Sequence, residues 1–101
     1  MKISLVENLK EIQEKTIDEK VIEFAEKMEA EIIESAENGY SGHRYQIHKE
    51  NPDKHMMFSK IFLKKLQELM DGVKVEFKEE EKKNLLGGSY YEHYIRFRWN
   101  D

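Results

Sequence analysis

Tyr90-Tyr91-Glu92-His93-Tyr94-Ile95-Arg96-Phe97-Arg98-Trp99 divides by parity. Its odd positions are Tyr91, His93, Ile95, Phe97 and Trp99; its even positions are Tyr90, Glu92, Tyr94, Arg96 and Arg98. A strand turns successive side chains to opposite faces, so one face of this segment reads as core and the other as a wet surface of tyrosine and arginine. The segment predicts a sheet that is covered on one side and open on the other.

Moving toward the N-terminus, Val73, Val75 and Phe77 alternate with Lys74, Glu76 and Lys78, which predicts a second strand. The polar stretch Glu79 to Ser89 between these strands is longer than the usual hairpin loop, and its Gly87-Gly88 pair reads as a hinge. Tyr40 to His48 alternates as well, with His43, Tyr45 and Ile47 opposite Arg44, Gln46 and His48. Between these strands, Asn51-Pro52-Asp53 has the composition of a helix start. It predicts a helix to about Met70 that buries Met57, Phe58, Ile61, Phe62, Leu66 and Leu69, with Gly72 at its exit.

Residues 4–37 read as helix, with Leu5, Leu9 and Ile12 and then Ile17, Val21, Phe24, Met28 and Ile32 along one stripe. Ser4 with Glu7 and Thr16 with Glu19 form two capping-box patterns, so this segment is either two helices or one kinked near Thr16. Asn38-Gly39 closes it. The order is α-β-α-β-β. A strand, helix and strand joined by a long crossover run parallel, and the closing hairpin adds an antiparallel partner. The expected fold is α+β: a three-stranded mixed sheet in the order 1-3-2, with the helices packed on its odd-residue face.

With 101 residues, one domain (1–101) with a modest core is expected. The absence of cysteine excludes disulfides, thiolate metal sites and a cysteine nucleophile. The opening Met1-Lys2-Ile3-Ser4-Leu5-Val6-Glu7 meets charge too early for a signal peptide, and no apolar run approaches the ~20 residues of a membrane span. A cytoplasmic protein with no membrane partner is the expectation. Net charge is −4, unevenly distributed: residues 1–38 carry 11 acidic and 5 basic side chains, and residues 39–101 carry 12 basic and 10 acidic. Such asymmetry steers charged partners, although charged helix surfaces are also ordinary.

On this fold the open face carries Arg44, Gln46, His48, Lys74, Glu76, Lys78, Tyr90, Glu92, Tyr94, Arg96 and Arg98. Tyrosine offers a π face and guanidinium a two-pronged donor, so such a face can stack planar groups and hold anions. Arg44, His48, Tyr90, Tyr94, Arg96 and Arg98 are the candidate binding residues. A solvated face with charges paired across strands is the competing reading. Parity splits the histidines, with His43 and His93 inward, His48 outward and His55 on the second helix, so no metal site is expected. His48 lies within reach of Tyr90 or Tyr94, but no second acid or base is specified, so no catalytic residue and no cofactor are assigned. Leu85-Leu86 reads as a loop that folds onto the core or forms a sticky tip.

Gly39, Tyr45, Ile47, Gly72, Val73, Val75, Ile95, Phe97 and Trp99 make up a layout that is similar to small accessory proteins encoded by phages and prophages of low-GC bacteria. The resemblance covers most of the chain, at core and turn positions, and implies a fold and a genomic setting. The expected function is a non-enzymatic protein-binding module, such as a phage-type inhibitor of a host protein or defence complex in the host-cell cytoplasm. The alternatives are a nucleotide- or nucleic-acid-binding protein using the Tyr/Arg face, and a homodimeric structural or virion accessory protein using it as a dimer interface.

Overall fold

The computed structural model describes residues 4–99. Met1 to Ile3, read above for a leader, lie outside the described residues. The elements are α1 (Leu5–Glu37), β1 (Gly42–Ile47), α2 (Lys54–Met57), α3 (Lys60–Leu69), β2 (Lys74–Lys83) and β3 (Ser89–Arg98). The strand order is β1-β3-β2. As the crossover requires, β1 and β2 run in the same direction. Because β3 lies between them, both hydrogen-bonded ladders are antiparallel.

The odd face is the core face. Tyr45, Ile95 and Phe77 stand in one row across the sheet, with His43, Phe97 and Val75 in the next. Ile95 and Phe97 have no exposed surface, and neither do Met28 of α1 or Phe62 and Leu66 of α3. Phe24 joins the layers: its ring meets Tyr45 edge-on at 4.8 Å and Phe62 at 5.7 Å. Both long helices therefore cover the odd face of the sheet.

α1 is one continuous helix, with Ser4 Oγ accepting from Glu7 N–H at 3.2 Å; the second capping pattern at Thr16 is not used. Its buried stripe is Ile17, Val21, Phe24, Met28 and Ile32. Leu5, Leu9 and Ile12 were expected to extend that stripe but are more than half exposed. The five-residue step from Ile12 to Ile17 turns the apolar side by about 140° at ~3.6 residues per turn, so the two stripes face different ways.

The second helix is broken rather than continuous. Ser59 is extended (φ −77°, ψ 146°), and its hydroxyl accepts from Phe62 N–H, capping α3 anew. This break resets the helical phase. Met57, Phe62, Leu66 and Met70 are buried, while Ile61 and Leu69, expected inside, are more than half exposed and Phe58 is 37% exposed. Phe58 instead covers the rings of Phe77 and His93 at 5.4 and 4.8 Å.

The polar stretch after Phe77 is strand rather than loop, since β2 continues to Lys83 and pairs with β3 as far as Ser89. The Gly87-Gly88 pair sits in a tied turn: Asn84 Oδ1 accepts from Leu86 and Gly88 N–H, and Gly87 takes φ +84°. Leu85 and Leu86 at this tip are essentially fully exposed and do not fold back. Tyr91, expected in the core, lies on the projecting hairpin and is 52% exposed. Trp99 packs against the core but is only partly buried. The projecting helix and hairpin explain a radius of gyration of 16.5 Å, against about 13 Å for a compact domain of this size.

Truncating Phe97 to Ala should destabilise the fold by about 3–5 kcal/mol in urea denaturation, as for a fully buried aromatic. Leu9→Ala, on the exposed overhang, should change stability by less than about 0.5 kcal/mol. Equal losses at the two positions would contradict this division between core and overhang.

Candidate binding face

The even residues of the three strands form the uncovered side of the sheet. Arg44, Arg96 and Glu76 stand in one row, Gln46, Tyr94 and Lys78 in the next, and Gly42, Arg98 and Lys74 on the other side. With Glu80, Lys82 and Glu92 on the hairpin stem, the face holds six cationic side chains and three carboxylates. Small Gly42 faces the central strand so closely that an added Cβ would lie 3.1 Å from the Phe97 carbonyl oxygen. That leaves a shallow pocket of about 270 Å³ beside Arg44, Arg96 and Arg98.

Glu76 organises this face. Arg98 and Arg96 both donate to its Oε1, at 2.6 and 3.2 Å, and Lys78 Nζ lies 3.1 Å from its Oε2. The hydrogen bond from Lys78, together with those from Arg96 and Arg98, holds the Glu76 carboxyl at about 2, against an ordinary value of 4.5. One carboxylate cannot saturate two guanidiniums, each of which has five N–H donors. The Nε atoms of Arg96 and Arg98 are buried and unpartnered among the described residues.

Arg44 lies over the Tyr94 ring, 4.0 Å from its centroid, and extends across β3 to Glu80 at 3.8 Å. The stacked guanidinium retains 56% of its side-chain exposure, so it presents a planar cation to solvent. Lys82 bonds to Glu80 at 3.0 Å, which raises its pKa above the ordinary lysine value.

Of the six candidate residues, the structure brings together Arg44, Tyr94, Arg96 and Arg98. Tyr90 pairs with Lys82 four residues farther along β3, and exposed His48 lies just past the end of β1; both stand apart from the cluster. Residue-type reasoning underrated Glu76, whose parity placed it on the face without showing that two arginines and a lysine converge on it. It missed Glu80 and Lys82, because a run of Glu and Lys does not resemble a strand until it is paired.

Two of the four histidines, His43 and His93, stand on the core face. His43 lies between Ser35 Oγ at 3.2 Å and Glu31 Oε1 at 3.0 Å, and His93 stacks on Phe77 with Glu79 at 3.3 Å. Among the described residues, no group of three or more His, Asp or Glu could hold a metal ion, and no helix is long and apolar enough to cross a membrane. Comparison with protein-family models, curated proteins and solved structures yields no match.

Because the folded state holds Glu76 below its ordinary pKa, its charge stabilises the fold above pH ~4.5, and that contribution is lost as pH falls toward about 2. The wild-type protein should therefore melt higher than Glu76→Gln at pH 6, and the gap should close between pH 4.5 and 2. A gap that stays constant over that range would show that the Glu76 charge does not organise the face.

Proposed function

We propose that this chain is a non-enzymatic binding module that presents its open sheet face to an acidic patch on a protein partner. The observation that carries this reading is the Arg44-Tyr94 stack beside two guanidiniums that share one carboxylate. This surface is planar and carries more N–H donors than its shared carboxylate can accept, and interface energy commonly concentrates in Tyr and Arg anchors near the centre of a patch. The module acts in the cytoplasm. The role implied by the phage-protein resemblance, inhibition of a host protein or defence complex, is one that a small module performs by covering its target's working surface.

Affinity capture from a lysate with wild-type protein and with an Arg44→Glu/Arg96→Gln variant tests this reading. The variant should keep its melting temperature within a few degrees and lose at least tenfold affinity for the captured protein, about 1.4 kcal/mol or more. Undiminished capture would move function off this face. A single-stranded oligonucleotide supplies the second arm. If it bound more tightly than the captured protein, with affinity falling steeply as salt rises, it would replace the protein-partner reading with a nucleic-acid one. A dimer in light scattering, abolished by Arg44→Glu, would show that the partner is a second copy.

A further inference from the structure

A second surface lies on the other side of the molecule, in the helix layer. α1 and α3 enclose a groove of about 490 Å³ near the C-terminal end of α3, with Ile32 and Met70 at its base. Ile22, Ile33, Leu69 and Val73, with Ala25, form its apolar walls. The first three are each about half exposed. Leaving three large aliphatics along one groove in water forgoes hydrophobic stabilisation that a few turns of an apolar partner would recover.

The rim has a single sign of charge. Glu26, Glu29 and Asp71 border the groove, and no ion pair engages any of them among the described residues. No lysine or arginine follows Lys27 on α1, whereas Glu29, Glu31, Glu34 and Glu37 do. Asp71 follows α3, where the negative end of the helix dipole adds to its field. This acidity therefore lacks local compensation, unlike that of Glu76 or Glu80 on the opposite face. Asp71 is also unfavourable to the isolated fold, because a carboxylate at a helix C-terminus opposes the dipole.

We propose that this groove is a docking site for a basic amphipathic helix of a partner protein. Length and charge select this occupant. From Ile22 to Ile33 the wall of α1 extends about 16 Å at 1.5 Å per residue, which matches three turns of a helix with anchors at i, i+4, i+7 and i+11. Lysine or arginine flanking those anchors would meet Glu26, Glu29 and Asp71. A second copy supplies no such free helix: the exposed apolar turns of α1 carry Glu7, Glu11 and Glu14 against Lys10 and Lys15, and α3 is already packed into the core. The site is independent of the sheet face, from which the sheet itself separates it.

A synthetic Leu/Lys amphipathic helix of about 14 residues, followed by methyl NMR of Ile, Leu and Val, tests the proposal. The methyls of Ile22, Ile33, Leu69 and Val73 should shift, and a Leu/Glu peptide of the same pattern should leave them unmoved. Leu69→Lys and Glu29→Lys should each weaken binding at least tenfold, with circular dichroism confirming the fold, and Arg44→Glu should leave it unchanged. Because Glu29 is exposed, its variant keeps the test valid if Leu69→Lys unfolds. Failure of the Leu/Lys peptide to bind, unchanged affinity in Glu29→Lys, or shifts confined to Leu5, Leu9 or the Leu85-Leu86 tip would each overturn the proposal. So would shifts of the groove methyls that grow with protein concentration in the absence of peptide, which would assign the groove to a second copy.

Discussion

The burial of Ile95 and Phe97 on the central strand is the constraint on which the rest of the structure depends. Both side chains are fully removed from solvent, and both helices contribute to covering them. A shift of β3 by one residue would turn Arg96 and Arg98 into the core and Phe97 into water, so the register is strongly specified. The alternation that makes the core therefore also places Tyr94, Arg96 and Arg98 on the uncovered side. Core and candidate surface are two consequences of one register.

That register creates an electrostatic problem, because Arg44 and Arg96 stand opposite each other on neighbouring strands. Like charges directly across a ladder are destabilising. Two devices relieve this. Glu76 sits on the far side of Arg96 and draws both β3 arginines toward β2. Arg44 turns over the Tyr94 ring and extends to Glu80. The result is a lattice of planar cations held by Glu76, Tyr94 and Glu80.

The two sides of the sheet differ in sign. The open face carries an excess of lysine and arginine, and the helix layer presents the carboxylates of α1. With a net charge of only −4, the molecule has a separation of charge that its total conceals. Such polarity orients approaching partners by sign.

Local chemistry was enough to specify the strand faces, the helix stops at Gly39 and Gly72 and the sheet order, because the first two follow from periodicity and caps and the order from placing the most aromatic strand centrally. Arg44, Tyr94, Arg96 and Arg98 were legible as a surface for the same reason. Other features depended on which elements meet. Ser59 ends one helix and caps the next, a choice that neither serine nor its neighbours impose. Leu5, Leu9 and Ile12 are apolar at helical spacing, yet they remain more than half exposed. Glu79 to Lys83 have poor strand propensity and are strand only because β3 supplies the ladder. Sequence determined which side of each element is apolar. Tertiary structure decided how much of that side found a partner, because burial depends on the lengths and crossing of elements far apart in the chain.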